Sequence, residues 1–373
     1  MHKFISIQAA RGIAALMVLA FHAMSVDAKY SSAGLLSSAL SFGQTGVDLF
    51  FVVSGFVMAV TTRRRSGAHD AGRFLVHRAA RIYPTYWVYF FALLAVYAVA
   101  PAIVNSSQGG RVDLWHSFLL LPSATLPLLM VAWSLTLELW FYVVFALLVC
   151  SPRKILAPAL AAWAGAIFLY AMMSSVPESP YARVLVHPFT LEFIAGALVG
   201  LFTQARAYSR ITQANALAFL LAGLGLLAWG YFGNFVDGSD VIATARLDRV
   251  LVVGSGYALT ILGLVSLEAN GVIAPFALLG RLGNSSYSLY LSHLLTLNLC
   301  ARIWFSSPAG DRDSLANAAL FWVLCFVACL AVGVVGYHLT ERPVQRLMAR
   351  LDSSKRVDNA SLRNSRCGAK NAS

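Results

Sequence analysis

The feature that most restricts the fold is a recurrence: apolar stretches of about twenty residues return about ten times along the 373 residues, each long enough to cross the hydrocarbon of a bilayer as a helix. They lie near 7–26, 42–62, 82–104, 131–150, 155–173, 186–204, 214–235, 249–268, 286–305 and 315–340. Backbone polar groups in hydrocarbon must be satisfied within the chain, so runs of this length imply helices. Composition agrees, since 59% of the residues are hydrophobic and 12% are charged, about half the charged share of a soluble domain. The reading is an all-α integral membrane protein, a polytopic bundle of about ten transmembrane helices. Leu114 to Leu121 is too short to span and reads as re-entrant or interfacial, and Pro275 to Gly280 leads into the ninth helix.

Orientation follows from the basic residues, because arginine and lysine gather on the cytoplasmic side. With both termini cytoplasmic, twenty of the 28 basic residues fall inside, including six arginines between 63 and 81 and eight after the tenth span, and seven fall outside. No loop is long enough to hold a soluble core. Residues 1–350 therefore form one membrane domain, and residues 351–373, rich in Ser, Asn, Lys and Arg, read as a basic, disordered cytoplasmic tail. The first span lacks a small-residue cleavage site and reads as a retained helix. The five cysteines sit in spans or in the tail, which implies neither a disulfide nor a metal framework. The net charge of +12 is a topological signal and a point of contact for anionic lipid; nucleic acid is not an expected partner.

Chemistry is expected inside the bundle. Arg11 and His22 lie in one apolar span, where an arginine costs about 2.5–3.5 kcal/mol on the insertion scale, so two ionisable groups there point to function. Eleven helical steps put both side chains on one face, roughly 16 Å apart along the axis. By depth from the span ends, His22, Asp48 in the second span and Glu138 in the fourth share one level in the outer half. A carboxylate beside an imidazole fixes its tautomer, as in histidine general bases, and this makes His22, Asp48 and Glu138 the candidate catalytic group. Glu192 lies at a similar level as a reserve. The competing reading is that each is a structural hydrogen-bond partner between helices.

On the cytoplasmic side Arg78 and Arg81 are three apart, so in a helix they point the same way and can clamp a phosphate or pyrophosphate. Arg11 lies near the same surface. A ligand with a phosphorylated head at these arginines and a long flexible arm would bring its reactive end to His22. Coenzyme A has that shape, as does a polyprenyl phosphate. Ser286, Tyr290 and His293 line one face of the ninth span, where His293 either lines a donor tunnel or is a satisfied bundle histidine. His187, before Pro188, reads as interfacial.

These residues also form a pattern. Arg11-Gly12 is followed after ten residues by His22; then come GVDLFFVVSGFVM with Asp48, Ser54 and Gly55, Arg78 and Arg81 before Tyr83-Pro84, WSLTLE with Trp133, Ser134 and Glu138, SYSLYLSH ending at His293, and Glu341-Arg342-Pro343. Six pieces in this order resemble the membrane acyltransferase-3 family, polytopic O-acyltransferases of bacterial polysaccharides, macrolides and related acceptors. The resemblance implies an acyl-CoA donor, acetyl-CoA or a larger acyl-CoA, used from the cytoplasm. It further implies Arg11, Arg78 and Arg81 on the CoA side and His22 as the essential histidine. The chain is similar to the stand-alone type without an esterase-like domain.

The function expected from the sequence is an O-acyltransferase, acetyl being the first choice of group, acting in the cell (cytoplasmic) membrane on a carbohydrate hydroxyl of an exported or lipid-linked polysaccharide, without a metal. His22 would take the acceptor proton or carry the acyl group itself, with Asp48 or Glu138 orienting its ring. Trp133, Ser134 and Ser54 are candidate donors to the oxyanion. The rival is a transporter or flippase of lipid-linked sugars, in which buried charges form a substrate path.

Overall fold

A computed structural model describes residues 4–30, 36, 38–63, 66–104, 111–173, 176–236, 246–272, 277–306 and 315–351. The expected tail lies almost wholly outside the described residues. Every regular element among them is helical: α1 Ile5–Tyr30, α2 Gly46–Thr61, α3 Ala68–Val99, α4 Leu114–Leu119, α5 Trp133–Val149, α6 Arg153–Met173, α7 Pro180–Leu185, α8 Thr190–Phe202, α9 Gln213–Phe232, α10 Leu247–Ala269, α11 Ala277–Phe305 and α12 Leu315–Leu351. Among the described residues nine helical stretches are long and apolar enough to cross a membrane, and this is a polytopic helical membrane protein.

The tenth long helix, α11, runs for 29 residues but is too polar to count among the nine. Its polar side chains bond to its own backbone: Ser285 Oγ to Leu282 O at 3.1 Å, Ser286 Oγ to Gly283 O at 2.8 Å, Thr296 Oγ1 to Ser292 O at 3.0 Å. Hydroxyls satisfied this way can sit in a bundle interior, and Ser286, Ser288, Ser292 and His293 are all buried. The third helix starts at Ala68 rather than at 82, and α11 at Ala277 rather than at 286. An apolar window registers only the part of a helix inside hydrocarbon, while the helix continues through a charged or polar turn. Asp113 accepts from His116 N at 3.0 Å and caps α4, the short piece that was expected not to span.

Helices approach closely where side chains are absent. A Cβ on Gly55 would lie 1.9 Å from Phe193 O, and one on Gly196 1.9 Å from Val52 O, so α2 and α8 meet backbone to backbone. Gly12 meets Leu279 and Gly283 while His22 meets His293, so α1 and α11 run parallel, side by side. Carboxylates tie the bundle elsewhere. Glu268, at the end of α10, accepts from Ile5 N at 2.8 Å and Ser6 N at 2.9 Å, satisfying donors that a helix start leaves open. Glu341 accepts from Ser288 N at 2.9 Å and Ser288 Oγ at 2.6 Å, joining α12 to α11. Asp27 accepts from Trp322 Nε1 at 2.8 Å and Leu36 N at 3.1 Å.

Candidate active site

A cavity opens between α1, α2, α3, α5 and α11. Arg11, Arg78 and Arg81 line it together with Gln8, Ser54, Ser134, Glu138, Tyr142, Tyr287 and Tyr290. The three arginines converge because two helices bring them to the same space: Arg11 two turns into α1, and Arg78 and Arg81 about one turn apart on one face of α3, all half-buried. Arg78 Nη2 donates to Thr61 Oγ1 at 3.3 Å, and its guanidinium lies over the rings of Phe74 and Tyr142 at 5.5 and 5.6 Å. Its Nε is buried and makes no hydrogen bond among the described residues. Arg11 Nη1 reaches Gln8 Oε1 at 3.4 Å, a long bond. Among the described residues the one carboxylate lining the cavity is Glu138, whose Oε1 accepts from Ser54 Oγ at 2.5 Å and from Tyr142 OH. Three guanidinium groups with few acceptors in a partly buried space make a strong attraction for an anion with several oxygens.

Phe50, Ser134 and Tyr290 also line the cavity. Tyr290 OH donates to Val131 O at 2.9 Å and shares a hydrogen bond with Ser134 Oγ at 2.7 Å, which holds its ring in place. That ring stands 5.9 Å from His293, whose ring is 4.9 Å from that of His22. His293 Nε2 lies 3.1 Å from His22 Nδ1, and His22 Nδ1 lies 3.1 Å from Val18 O. His293 is 1% exposed and His22 is half-buried. The arrangement thus has two levels, a cationic cavity and, past Tyr290, a pair of imidazoles.

Comparison with known proteins gives this geometry a family. The family model described as an acyltransferase domain matches residues 4–338, nearly the whole described bundle. The chain belongs to the acyltransferase-3 family. Over 82% of its length this acyltransferase is 30% identical to the "Exopolysaccharide production protein ExoZ" of Rhizobium meliloti (strain 1021), covering 90% of that protein. It is 26% identical to the "Acyltransferase MdmB" of Streptomyces mycarofaciens, over 92% of each chain. It is 25% identical to "Nodulation protein 10" of Rhizobium leguminosarum bv. viciae, over 76% of this chain and 82% of that one. No solved structure matches. Family membership sets aside the transporter reading.

In this acyltransferase the expected group of His22, Asp48 and Glu138 does not assemble. Asp48 is turned to Arg249, with Arg249 Nη2 to Oδ2 at 2.7 Å and Nε to Oδ1 at 3.2 Å, a two-pronged pair with side chains 0% and 4% exposed. Glu192, the reserve candidate, lies buried within electrostatic reach of Asp48 and Arg249, and neither of its carboxylate oxygens makes a hydrogen bond among the described residues. Glu138 belongs to the arginine cavity and bonds to Ser54 and Tyr142, not to His22. The reason is angular. Asp48 and Ser54 are six residues apart on α2, about 120° around the axis, so when Ser54 faces Glu138 on α5, Asp48 faces α10. His187 is buried, and its Nδ1 accepts from Phe189 N at 3.3 Å.

Sequence reasoning did not single out Arg249 or Tyr142, and it left His293 without a partner. Arg249 was counted as a basic residue of the outer side, although an arginine near the level of Asp48 was a signal for a pair. Tyr142, one turn after Glu138, both bonds to it and receives Arg78. His293, left open between tunnel and bundle roles, is the side chain in contact with His22.

Proposed function

We propose that this membrane acyltransferase transfers an acyl group, acetyl as the first choice, from acyl-CoA to a hydroxyl of an exported or lipid-linked polysaccharide, in the cytoplasmic membrane of the cell. The observation that carries the reading is the cavity in which Arg11, Arg78 and Arg81 face a single carboxylate and on whose wall Tyr290 stands beside His293, the neighbour of His22. The arginine groups fit the phosphates of a CoA-type donor. Roughly 16 Å of helix rise between Arg11 and His22 suits a ligand with an extended arm between phosphate and thioester. With the arginine end toward the cytoplasm, where both termini would lie, donor enters from inside and the acceptor meets His22 from the outer half. The name of the exopolysaccharide-production relative supports a carbohydrate acceptor.

His22 then acts as general base. Its free ring nitrogen takes the proton of the acceptor hydroxyl as that oxygen bonds to the thioester carbonyl carbon, and it returns the proton to the departing thiolate as the C–S bond breaks. Arg11, Arg78 and Arg81 hold the donor, and Glu138, through Ser54 and Tyr142, keeps the wall of the cavity in place. Asp48 stands outside this chemistry, paired with Arg249.

The test is the acyl content of the exported polysaccharide by proton NMR in a strain deleted for the gene and restored with wild type or His22→Ala. One acyl signal lost on deletion and recovered with wild type alone is the expected result. Unchanged acylation with altered polysaccharide yield would overturn it.

A further inference from the structure

We propose that His293 is the positioning residue of the His22 base: it holds the neutral His22 ring in the tautomer with its proton on Nδ1, so that Nε2 carries the lone pair that does the chemistry. The inference rests on the reading of His22 as the base and adds what makes it one.

The argument is one of donors and acceptors. A backbone carbonyl only accepts. His293 Nδ1 lies 3.2 Å from Leu289 O, so it carries the proton of that ring, and the Nε2 of a neutral His293 is left as an acceptor. His22 Nδ1 stands 3.1 Å from this nitrogen and 3.1 Å from Val18 O. Both neighbours are acceptors, so Nδ1 of His22 has to be the donor, its proton shared between them. The opposite tautomer sets the lone pair of Nδ1 against two others at hydrogen-bond distance; Val18 O keeps its helical N–H donor, but the buried Nε2 of His293 is left unmet, a cost of about 1–3 kcal/mol. His22 Nε2 has no hydrogen bond among the described residues, on a ring that is only half-buried.

His293 is well placed to impose this. It is 1% exposed, sits on the buried helix α11, and is fixed by Leu289 O behind and Tyr290 beside it. The ring planes of the two histidines are tilted by 52°, which suits an in-plane nitrogen contact and not stacking. His293 takes the place that a carboxylate holds behind the histidine of a hydrolytic triad. Being neutral it adds no charge, but it can share the one that forms. When Nε2 of His22 takes the hydroxyl proton, the Nδ1 proton can shift toward His293 Nε2, while His293 Nδ1–H stays on Leu289 O. The single positive charge is spread over two rings, and return of the proton from Nε2 to the thiolate restores the start.

The substitutions that test this exploit reach. A glutamine at 293 puts an amide oxygen where Nε2 was; an asparagine stops short at the level of Nδ1. Full-length protein in nanodiscs, with acetyl-CoA as donor and polysaccharide from the deletion strain as acceptor, is expected to lose about 100-fold in turnover in His293→Ala, with the Michaelis constant for acetyl-CoA within about 2-fold. His293→Gln is expected to regain most of the loss and His293→Asn none of it. In parallel, histidine ¹⁵N spectra, with the His22 signal assigned by its absence in His22→Gln, are expected to show the proton on Nδ1 in wild type and His293→Gln, and a mixture of tautomers in His293→Ala. Turnover of His293→Ala within about 3-fold of wild type, while His22→Ala is inactive, overturns the proposal and leaves the base reading standing. Activity retained in His22→Ala overturns both. Should His293→Ala not fold, wild-type spectra with the proton on Nε2 of His22 overturn the proposal by themselves.

Discussion

Replacing Asp48 with Asn keeps the size of the side chain and one acceptor oxygen but removes the charge that meets Arg249. At the observed 2.7 Å and an effective dielectric constant of about 20, the gross attraction is about 6 kcal/mol. Part of it was already offset by taking both groups out of water, so the net loss is set by what remains: a guanidinium 4% exposed with its main partner gone. Breaking such a pair from one side costs about 3–5 kcal/mol. Because Glu192 stands beside Asp48 and Arg249, the single variant is expected near the lower end of that range, and Asp48→Asn with Glu192→Gln near the upper end. Asp48→Leu with Arg249→Met, which removes both charges, is expected to cost far less than the sum of its parts, with a coupling of at least about 2 kcal/mol. Unfolding in mixed micelles titrated with SDS, followed by far-UV circular dichroism, reads these differences. Turnover per folded molecule is expected to stay within about 3-fold of wild type, since losing a group that acts on the base would cost at least about 100-fold. A stable Asp48→Asn protein with turnover down by that factor would refute the reasoning and put Asp48 back at His22.

Other outcomes follow from the same geometry. Arg78→Ala and Arg81→Ala are each expected to raise the Michaelis constant for acyl-CoA by about 10-fold or more, the loss of a charge-assisted contact, with a smaller effect on turnover; an unchanged constant returns them to topology. Glu138→Gln leaves an oxygen for Ser54 and Tyr142 but removes the cavity's one lining carboxylate, so an anionic donor analogue is expected to bind more tightly, most clearly at low salt; weaker binding measured by calorimetry would contradict the cavity reading. Gly196→Ala puts a methyl group 1.9 Å from Val52 O, and the protein is expected to lose its monodisperse peak in size-exclusion chromatography; a normal peak would mean that α2 and α8 are not in backbone contact. Outside the membrane, His116 N–H holds the Asp113 carboxyl below its ordinary value of 3.8. A lowered folded value means that the cap on α4 is at full strength above the ordinary aspartate range and is lost as pH falls through the folded value. Faster hydrogen exchange at 114–119 on acidification is the expected sign, and no change would assign the cap to the backbone alone.

How far the sequence carries can be judged from single residues. Arg78 and Arg81, read as neighbours on one helix face, do share a cavity with Arg11, because helical spacing is a local rule and all three lie near one end of their spans. The family was legible for a related reason: six short pieces in order are a pattern of the chain itself. Glu138 shows the limit. Counting from the edge of an apolar run places a residue along the membrane normal to within several ångström, but says nothing of the direction in which its side chain leaves the helix relative to other helices. Asp48 and Arg249 are 201 residues apart, and no local rule couples them.

What the sequence by itself determined is the set of helices, their membrane character, the family and the gathering of basic side chains, since apolar length, periodicity and motif order are properties of short stretches. What only the tertiary structure decided is which charged and titratable groups touch. Glycines at 55, 196 and 283 let particular helix pairs close to backbone contact, and that packing fixes the rotation of every helix about its axis. It is this rotation that turns Asp48 to Arg249, Glu138 to Ser54 and Tyr142, and His293 to His22.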